Sequence, residues 1–229
     1  MNNLRADINI IYEDSDILVC RKPAGLATQS ARVSAPDLVS ELKNYLAEKK
    51  EAYLALIHRL DQPVEGLLVF AKNKEAAKNL NEQLKMSSFD KVYYAVAFNQ
   101  PPVQEGMLED YMIKDGSKAK IVTADTPGAK KAVLHYKLLA IKKGRALYEV
   151  RPETGRFHQI RAQMAHAGMP LLGDKKYADA AIIMYSDVHG IKNVALCAFK
   201  LKLTHPKTGE EMLFVSKPAG EVFLEFKKE

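Results

Sequence analysis

Apolar residues recur along this chain mainly at the spacing of β-strands, in short runs set off by turn residues, and this alternation restricts the fold more than any other feature. Residues 8–12 and 16–20 (Ile8, Ile10 and Tyr12; Ile17, Leu18 and Val19) read as two strands hinged at Glu13-Asp14-Ser15-Asp16, with Lys22-Pro23-Ala24-Gly25 following as a turn. Strand patterns return at 67–71, 92–98, 132–140 and 146–150, and a hairpin is predicted over 197–215 with Pro206-Lys207-Thr208-Gly209 as its turn. Helical spacing occurs after Pro36 (Leu38, Leu42, Tyr45, Leu46) and before Met86 (Ala76, Ala77, Leu80, Leu84). Strands outnumber helices and do not alternate strictly with them. The prediction is an α+β fold with a mixed, largely antiparallel sheet and helices packed on it.

No composition shift, Pro/Ser-rich linker or internal repeat divides the 229 residues, so a single domain over 1–229 is expected. Hydrophobic residues at 47% and charged residues at 27% are the proportions of a globular protein and exclude wholesale disorder. Apolar runs such as Gly66-Leu67-Leu68-Val69-Phe70-Ala71 fall far short of the ~18 residues of a membrane span, and no membrane partner is expected. The opening Met1-Asn2-Asn3-Leu4-Arg5 has no secretory or transit character, which points to a cytoplasmic location. Cys20 and Cys197 are far apart in apolar stretches and read as buried thiols. Lys and Arg total 34 against 28 Asp and Glu, a formal charge of +6 that suits a polyanionic partner and a solvated basic face equally well.

Phosphate-loop, GxGxxG, HExxH and GxSxG motifs are missing, which removes support for ATPase, Rossmann, zincin and serine-hydrolase functions. Two polar clusters remain. The first, His58-Arg59-Leu60-Asp61-Gln62-Pro63-Val64-Glu65-Gly66, lies between apolar segments; Pro63 keeps Gln62 out of helical geometry and Gly66 permits a sharp return. It reads either as a loop presenting a reachable carboxylate from a rigid scaffold or as a solvated turn with a local Arg59–Asp61 pair. The second runs from Arg151 to Met164. Ile160 and Met164 lie one helical turn apart and Gly168 and Pro170 give a stop, so a helix is expected after Gly155, with His158 and Arg161 on one face. Cations at Arg156, His158 and Arg161 in the first turns oppose the helix dipole, which suits a nearby anion, either an RNA phosphate or a carboxylate such as Asp61; Glu153 and solvent could equally satisfy them. His158 and His166 have no Asp, Glu or Cys at ligand spacing, and no metal is expected. Asp61 with Glu65 could suggest a glycoside hydrolase, but a surface position for Glu65 is preferred.

These residues, taken together, resemble the RluA family of pseudouridine synthases across nearly the whole chain. His58-Arg59-Leu60-Asp61 with Gly66-Leu67-Leu68 and Ala71-Lys72 matches the family signature; Ile11-Tyr12-Glu13-Asp14 and Lys22-Pro23-Ala24-Gly25-Leu26 match its opening strand and turn. Lys91-Val92-Tyr93-Tyr94-Ala95, Thr154-Gly155-Arg156-Phe157-His158-Gln159-Ile160-Arg161, Pro170-Leu171-Leu172-Gly173-Asp174-Lys175-Lys176-Tyr177 and His205-Pro206-Lys207-Thr208-Gly209-Glu210 match four further segments in the family's order. Many members carry an N-terminal S4-type RNA-binding module, whereas the opening strand here begins near Ile8, so a stand-alone catalytic domain acting as a monomer is expected.

The resemblance implies isomerisation of uridine to pseudouridine in ribosomal or transfer RNA, without cofactor or metal, on the pseudouridine-synthase fold. It implies Asp61 as the nucleophile, Arg161 as its basic partner, Tyr93 as the aromatic stacked on the target base, and Arg59 as the residue entering the space left by a flipped nucleotide. His58, Arg156 and His158, and the lysines at 91, 114, 118, 120, 130 and 131, are expected to bind substrate. One departure stands out. After the aspartate the family usually has Arg, any residue, Thr, Ser and Gly, whereas this chain has Gln62, Pro63, Val64, Glu65 and Gly66, exchanging a cation for a carboxylate. A catalytically silent RNA-binding factor on the same fold is the alternative this departure suggests.

Overall fold

The computed structural model describes residues 8–30, 35–86, 88–98 and 103–226, which form eleven strands and five helices. The chain divides into two compact units, residues 1–91 with 198–217 and residues 92–197 with 218–229, so it passes between them three times, twice within a strand. Strands and helices are numbered in chain order.

In the first unit β1 (Asn9–Glu13), β2 (Ile17–Lys22) and β4 (Glu65–Ala71) pair antiparallel in that order, with the short β3 (Ala55–Leu56) also on β4. The predicted hinge holds because Asp14 Oδ1 accepts the N–H groups of Asp16 and Ile17 at 2.7 and 2.8 Å. The predicted 197–215 hairpin is β10 (Leu196–Thr204) and β11 (Glu211–Val215), closed by His205 N–H on the Glu210 carbonyl at 2.8 Å. Helix α1 (Leu38–Glu48) starts where Asp37 caps the Ser40 N–H, and α2 (Lys74–Lys85) where Asn73 caps that of Ala76. The first buries its predicted face, Leu38, Leu42, Tyr45 and Leu46, and the second buries Ala76, Ala77 and Leu80 while Leu84 is half-buried. Val19, Leu67, Val69, Leu80 and Leu201 meet in the core, where each fully buried aliphatic side chain contributes roughly 1.5–3 kcal/mol. Every residue of β4 is buried. Gly66 lies inside this strand, where its φ of 133° uses the predicted conformational freedom and a Cβ would come within 2.5 Å of the Ala198 backbone, so glycine also serves the close approach of β10.

In the second unit β5 (Asp90–Phe98, from Val92 onward) pairs with β9 (Arg145–Pro152), β9 with β8 (Lys130–Lys142), β8 with β6 (Glu105–Asp115) and β6 with β7 (Lys118–Val122), all antiparallel. The β6–β7 hairpin was not visible in the pattern, because β6 carries acids or lysine on both faces and buries only Met112 completely. Helix α3 (Gln159–His166) packs Ala162 against Met112, Ala119 and Ala132. Its predicted end at Gly168 holds, with φ at 77°, but it starts later than predicted: His158 is the residue before the first turn, at φ 53°, and Arg156 lies outside the helix. The expected shared face of His158 and Arg161 does not form, since only Arg161 is helical. Helix α4 (Ala180–Val188), capped by Asp179, and the short α5 (Glu221–Leu224) complete the unit, and Arg145 joins them by bonds of 2.9 Å to Tyr185 Oη and 3.0 Å to Glu225. Among the described residues no helix is long and apolar enough to cross a membrane.

Candidate active site

In the first unit, Asp61 sits half-buried in the loop between β3 and β4, beside exposed Arg59. The loop is a turn closed by Val64 N–H on the Asp61 carbonyl at 3.0 Å. It is tied to the 22–28 segment at several points. Gly25 N–H donates to the Gln62 carbonyl at 2.8 Å, the Gln62 side-chain amide donates to the Gly25 carbonyl at 3.0 Å, and Thr28 Oγ1 donates to the Leu60 carbonyl at 2.7 Å. Lys22, wholly buried, closes the set: its ammonium donates to the carbonyls of Pro23 (2.9 Å), Leu26 (2.7 Å) and Gln62 (3.2 Å). Burial pulls the Lys22 ammonium down to about 8, against the opposing pull of Asp61 and Glu65. Lys22 ends β2 rather than opening the predicted turn, and a lysine directly ending an apolar strand is the sequence signal for this role.

Two neighbours differ in character from a solvated loop. His58 is buried with its ring edge on Phe89, 5.3 Å between centroids, and its Nε2 accepts the Val69 N–H at 3.4 Å, so the proton sits on Nδ1. Burial, with the nearby Lys91 charge, pushes this imidazole down to about 3, which keeps it neutral. Glu65 is 4% exposed at the first position of β4, so the preferred surface position is wrong: a carboxylate two residues past Pro63 continues into the fully buried strand.

The second unit holds Tyr93, Arg156, His158 and Arg161. Tyr93 is buried on β5 opposite Val150. Arg161, on the first turn of α3, is 3% exposed and forms a bidentate pair with Asp174, Nε to Oδ2 at 2.7 Å and Nη2 to Oδ1 at 2.8 Å, the Asp174 side chain being fully enclosed. The Tyr177 ring lies 5.2 Å from the guanidinium carbon. Tyr177 Oη accepts the Ala119 N–H at 2.6 Å and lies 2.8 Å from His158 Nδ1, and the His158 ring stacks on Phe157 at 3.8 Å. Arg156 is anchored by Nε on the Lys131 carbonyl at 2.8 Å. Lys114, Lys118, Lys120, Lys130 and Lys131 are exposed, with the Lys114 ammonium 5.2 Å from the Phe157 ring centroid; Lys91, in the first unit, is half-buried, and burial lowers its ammonium. Asp174 and Tyr177 belong to a quoted segment but were not singled out, because a buried aspartate looks the same in sequence as a surface one.

Among the described residues one group, Asp14, Asp16 and His205, brings potential ligand atoms within 4.8 Å of one another. These atoms already serve the fold: His205 Nε2 and Tyr12 Oη each meet Asp14 Oδ2 at 2.8 Å, and Asn73 donates to Asp16 at 2.7 Å.

Residues 16–166 match the family model described as RNA pseudouridylate synthase. The chain is 37% identical over 181 residues to ribosomal large subunit pseudouridine synthase C of Rickettsia conorii, covering 77% of this chain and 58% of that protein. It is 34% identical over 214 residues to ribosomal large subunit pseudouridine synthase D of Pasteurella multocida, covering 90% of this chain and 65% of that one. The chain thus spans less than two thirds of the length of these relatives. Human RNA pseudouridylate synthase domain containing 4 superposes with a TM-score of 0.78 at 24% identity, over 94% of this chain and 90% of that one, which establishes a shared fold.

Proposed function

Because the chain belongs to the RNA pseudouridylate synthase family, we propose that it isomerises uridine to pseudouridine in large-subunit ribosomal RNA, in the cytoplasm, with Asp61 as the reacting carboxylate. The observation that carries this reading is the built loop that carries half-buried Asp61, whose main chain is tied to the 22–28 segment and to the buried Lys22 ammonium. A solvated turn would need neither. Breaking the C1′–N1 bond leaves an electron-deficient sugar that a carboxylate can stabilise, by addition or by taking a sugar proton. The freed uracil, which takes the bonding electron pair, then turns and rejoins through C5; C5 gives up its proton and N1 gains one, so the pocket must retain the base fragment and keep water from the sugar.

The remaining roles follow the family resemblance. Arg161 is assigned to keep the Asp61 carboxylate ionised and oriented, and Tyr93 to stack on the target base, a contact worth ~1–3 kcal/mol in single-strand binding. Exposed Arg59 is assigned to the gap left when the uridine flips out, since C1′ and C5 are out of reach in a stacked helix. The exposed lysines between 114 and 131, with Arg156 and His158, supply phosphate contacts. His58, neutral and enclosed, serves substrate binding by holding the Asp61 loop against β4.

Incubation with an unmodified large-subunit rRNA transcript, followed by pseudouridine mapping, tests the reading. Pseudouridine at defined positions is expected. Binding without conversion would instead indicate a silent RNA-binding factor, and release of free uracil an N-glycoside hydrolase; either would overturn the proposal.

A further inference from the structure

We infer that Asp174 is the positioning residue that sets the orientation of Arg161, with Tyr177 as the platform that completes the clamp. The inference rests on the role assigned to Arg161 above. An arginine carries several freely rotating bonds, and a guanidinium that must face a reacting carboxylate gains from having them fixed in advance. In this chain Asp174 and Tyr177 take part in that fixing. The Asp174 carboxylate takes the Nε and Nη2 donors at 2.7 and 2.8 Å, which sets both the plane of the guanidinium and its rotation about the Nε bond and turns the Nη1 edge away from Asp174. The Tyr177 ring, 5.2 Å from the guanidinium carbon, limits movement out of that plane.

Asp174 is itself fixed more firmly than an ion pair requires. Its Oδ1 also accepts the Lys176 N–H at 3.0 Å, and its own N–H donates to the Leu171 carbonyl at 3.3 Å. The residue before it, Gly173, has φ of 74° and packs so closely that a Cβ would lie 2.0 Å from the Asn193 carbonyl oxygen. Gly173 N–H donates to Ser186 Oγ at 3.0 Å, tying the bend to α4. Tyr177 is held as well. Its oxygen accepts the Ala119 N–H at 2.6 Å and lies 2.8 Å from His158 Nδ1. One bend, 173–177, therefore supplies both the carboxylate and the ring that hold the guanidinium of Arg161. Removing the Asp174 charge while keeping its shape places an amide N–H₂ against one guanidinium donor, and the clamp opens.

The test uses the full chain with the large-subunit rRNA transcript. Asp174→Asn is expected to lower kcat on the order of 10²-fold with KM within about threefold, because substrate still binds while the cation assigned to the chemical step is misdirected. In an Arg161→Lys background, where no bidentate pair can form, Asp174→Asn is expected to add less than about threefold. A second readout is independent of activity: the Arg161 Nε–H signal in ¹⁵N-labelled protein should exchange slowly in the wild type and lose that protection in Asp174→Asn. Should that variant fail to fold, Asp174→Glu, which keeps the charge and moves it by one methylene, is expected to show the same kcat loss. Unchanged kcat, full additivity with Arg161→Lys, or an unaltered Nε–H signal would overturn the inference. A wild type that leaves the transcript unconverted while the Nε–H signal behaves as described would overturn the proposed function and leave the positioning role standing.

Discussion

In the first unit the loop beneath Asp61 is held through main-chain atoms: Lys22 grips three carbonyls, Gly25 and Gln62 exchange bonds, and Thr28 holds Leu60. In the second unit Arg161 is held through side chains, by the carboxylate of Asp174 and the ring of Tyr177. The difference decides which positions tolerate change. A main-chain clamp is indifferent to most side chains of the residues it grips, so Gln62-Pro63-Val64-Glu65 can replace the family's usual residues without undoing the turn that presents Asp61. A side-chain clamp depends on the identity of both partners, and the segments supplying Arg161, Asp174 and Tyr177 keep the family pattern.

The contrast breaks most visibly at Arg161. Arg161→Ala leaves the enclosed Asp174 carboxylate without its cation and should cost about 3–5 kcal/mol of stability together with conversion activity, measured by urea unfolding and pseudouridine mapping. Unchanged melting and rate would show that the pair matters to neither. Lys22→Met should cost less, about 2 kcal/mol, because three carbonyls lose a charged donor but the desolvation of a buried ammonium is also removed.

His58 gives a pH-dependent version of the same comparison. Its folded-state pKa, about 3, lies below the ordinary imidazole value of 6.5, so between those values the unfolded chain binds the extra proton and stability falls as pH falls. Relative to His58→Gln, which keeps an acceptor for Val69 N–H, the wild type should lose about 2 kcal/mol between pH 7 and pH 5. Parallel pH profiles for the two proteins would show that the imidazole is not held neutral. Smallest of all is Gln62→Ala: it removes one exposed side-chain bond to Gly25 and should change stability by less than about 1 kcal/mol and conversion by less than about threefold.

Elements with a clear apolar period were legible in the sequence: α1 buries its predicted face and α2 most of its own, and the hinge at Asp14 and the turn after His205 form where turn residues cluster. The β6–β7 hairpin was not, because its charges fall on both faces. At the site, the position of Asp61 in a loop could be read from Pro63 and the flanking apolar runs. The burial of Lys22, Glu65 and Asp174 could not, since a charged residue that is compensated inside the fold carries the same letter as one in solvent. The start of α3 shifted for a related reason: His158, with φ of 53°, meets Tyr177 across the fold, a contact between residues nineteen apart that no local pattern encodes.

The central claim is that the carboxylate of Asp61 performs the chemical step while other residues hold the RNA. Single-turnover conversion of the large-subunit rRNA transcript by wild type and Asp61→Asn, with RNA affinity measured in parallel, tests it most directly. Conversion should fall by at least about 10³-fold while affinity stays within about tenfold; substantial pseudouridine formation by Asp61→Asn would contradict it.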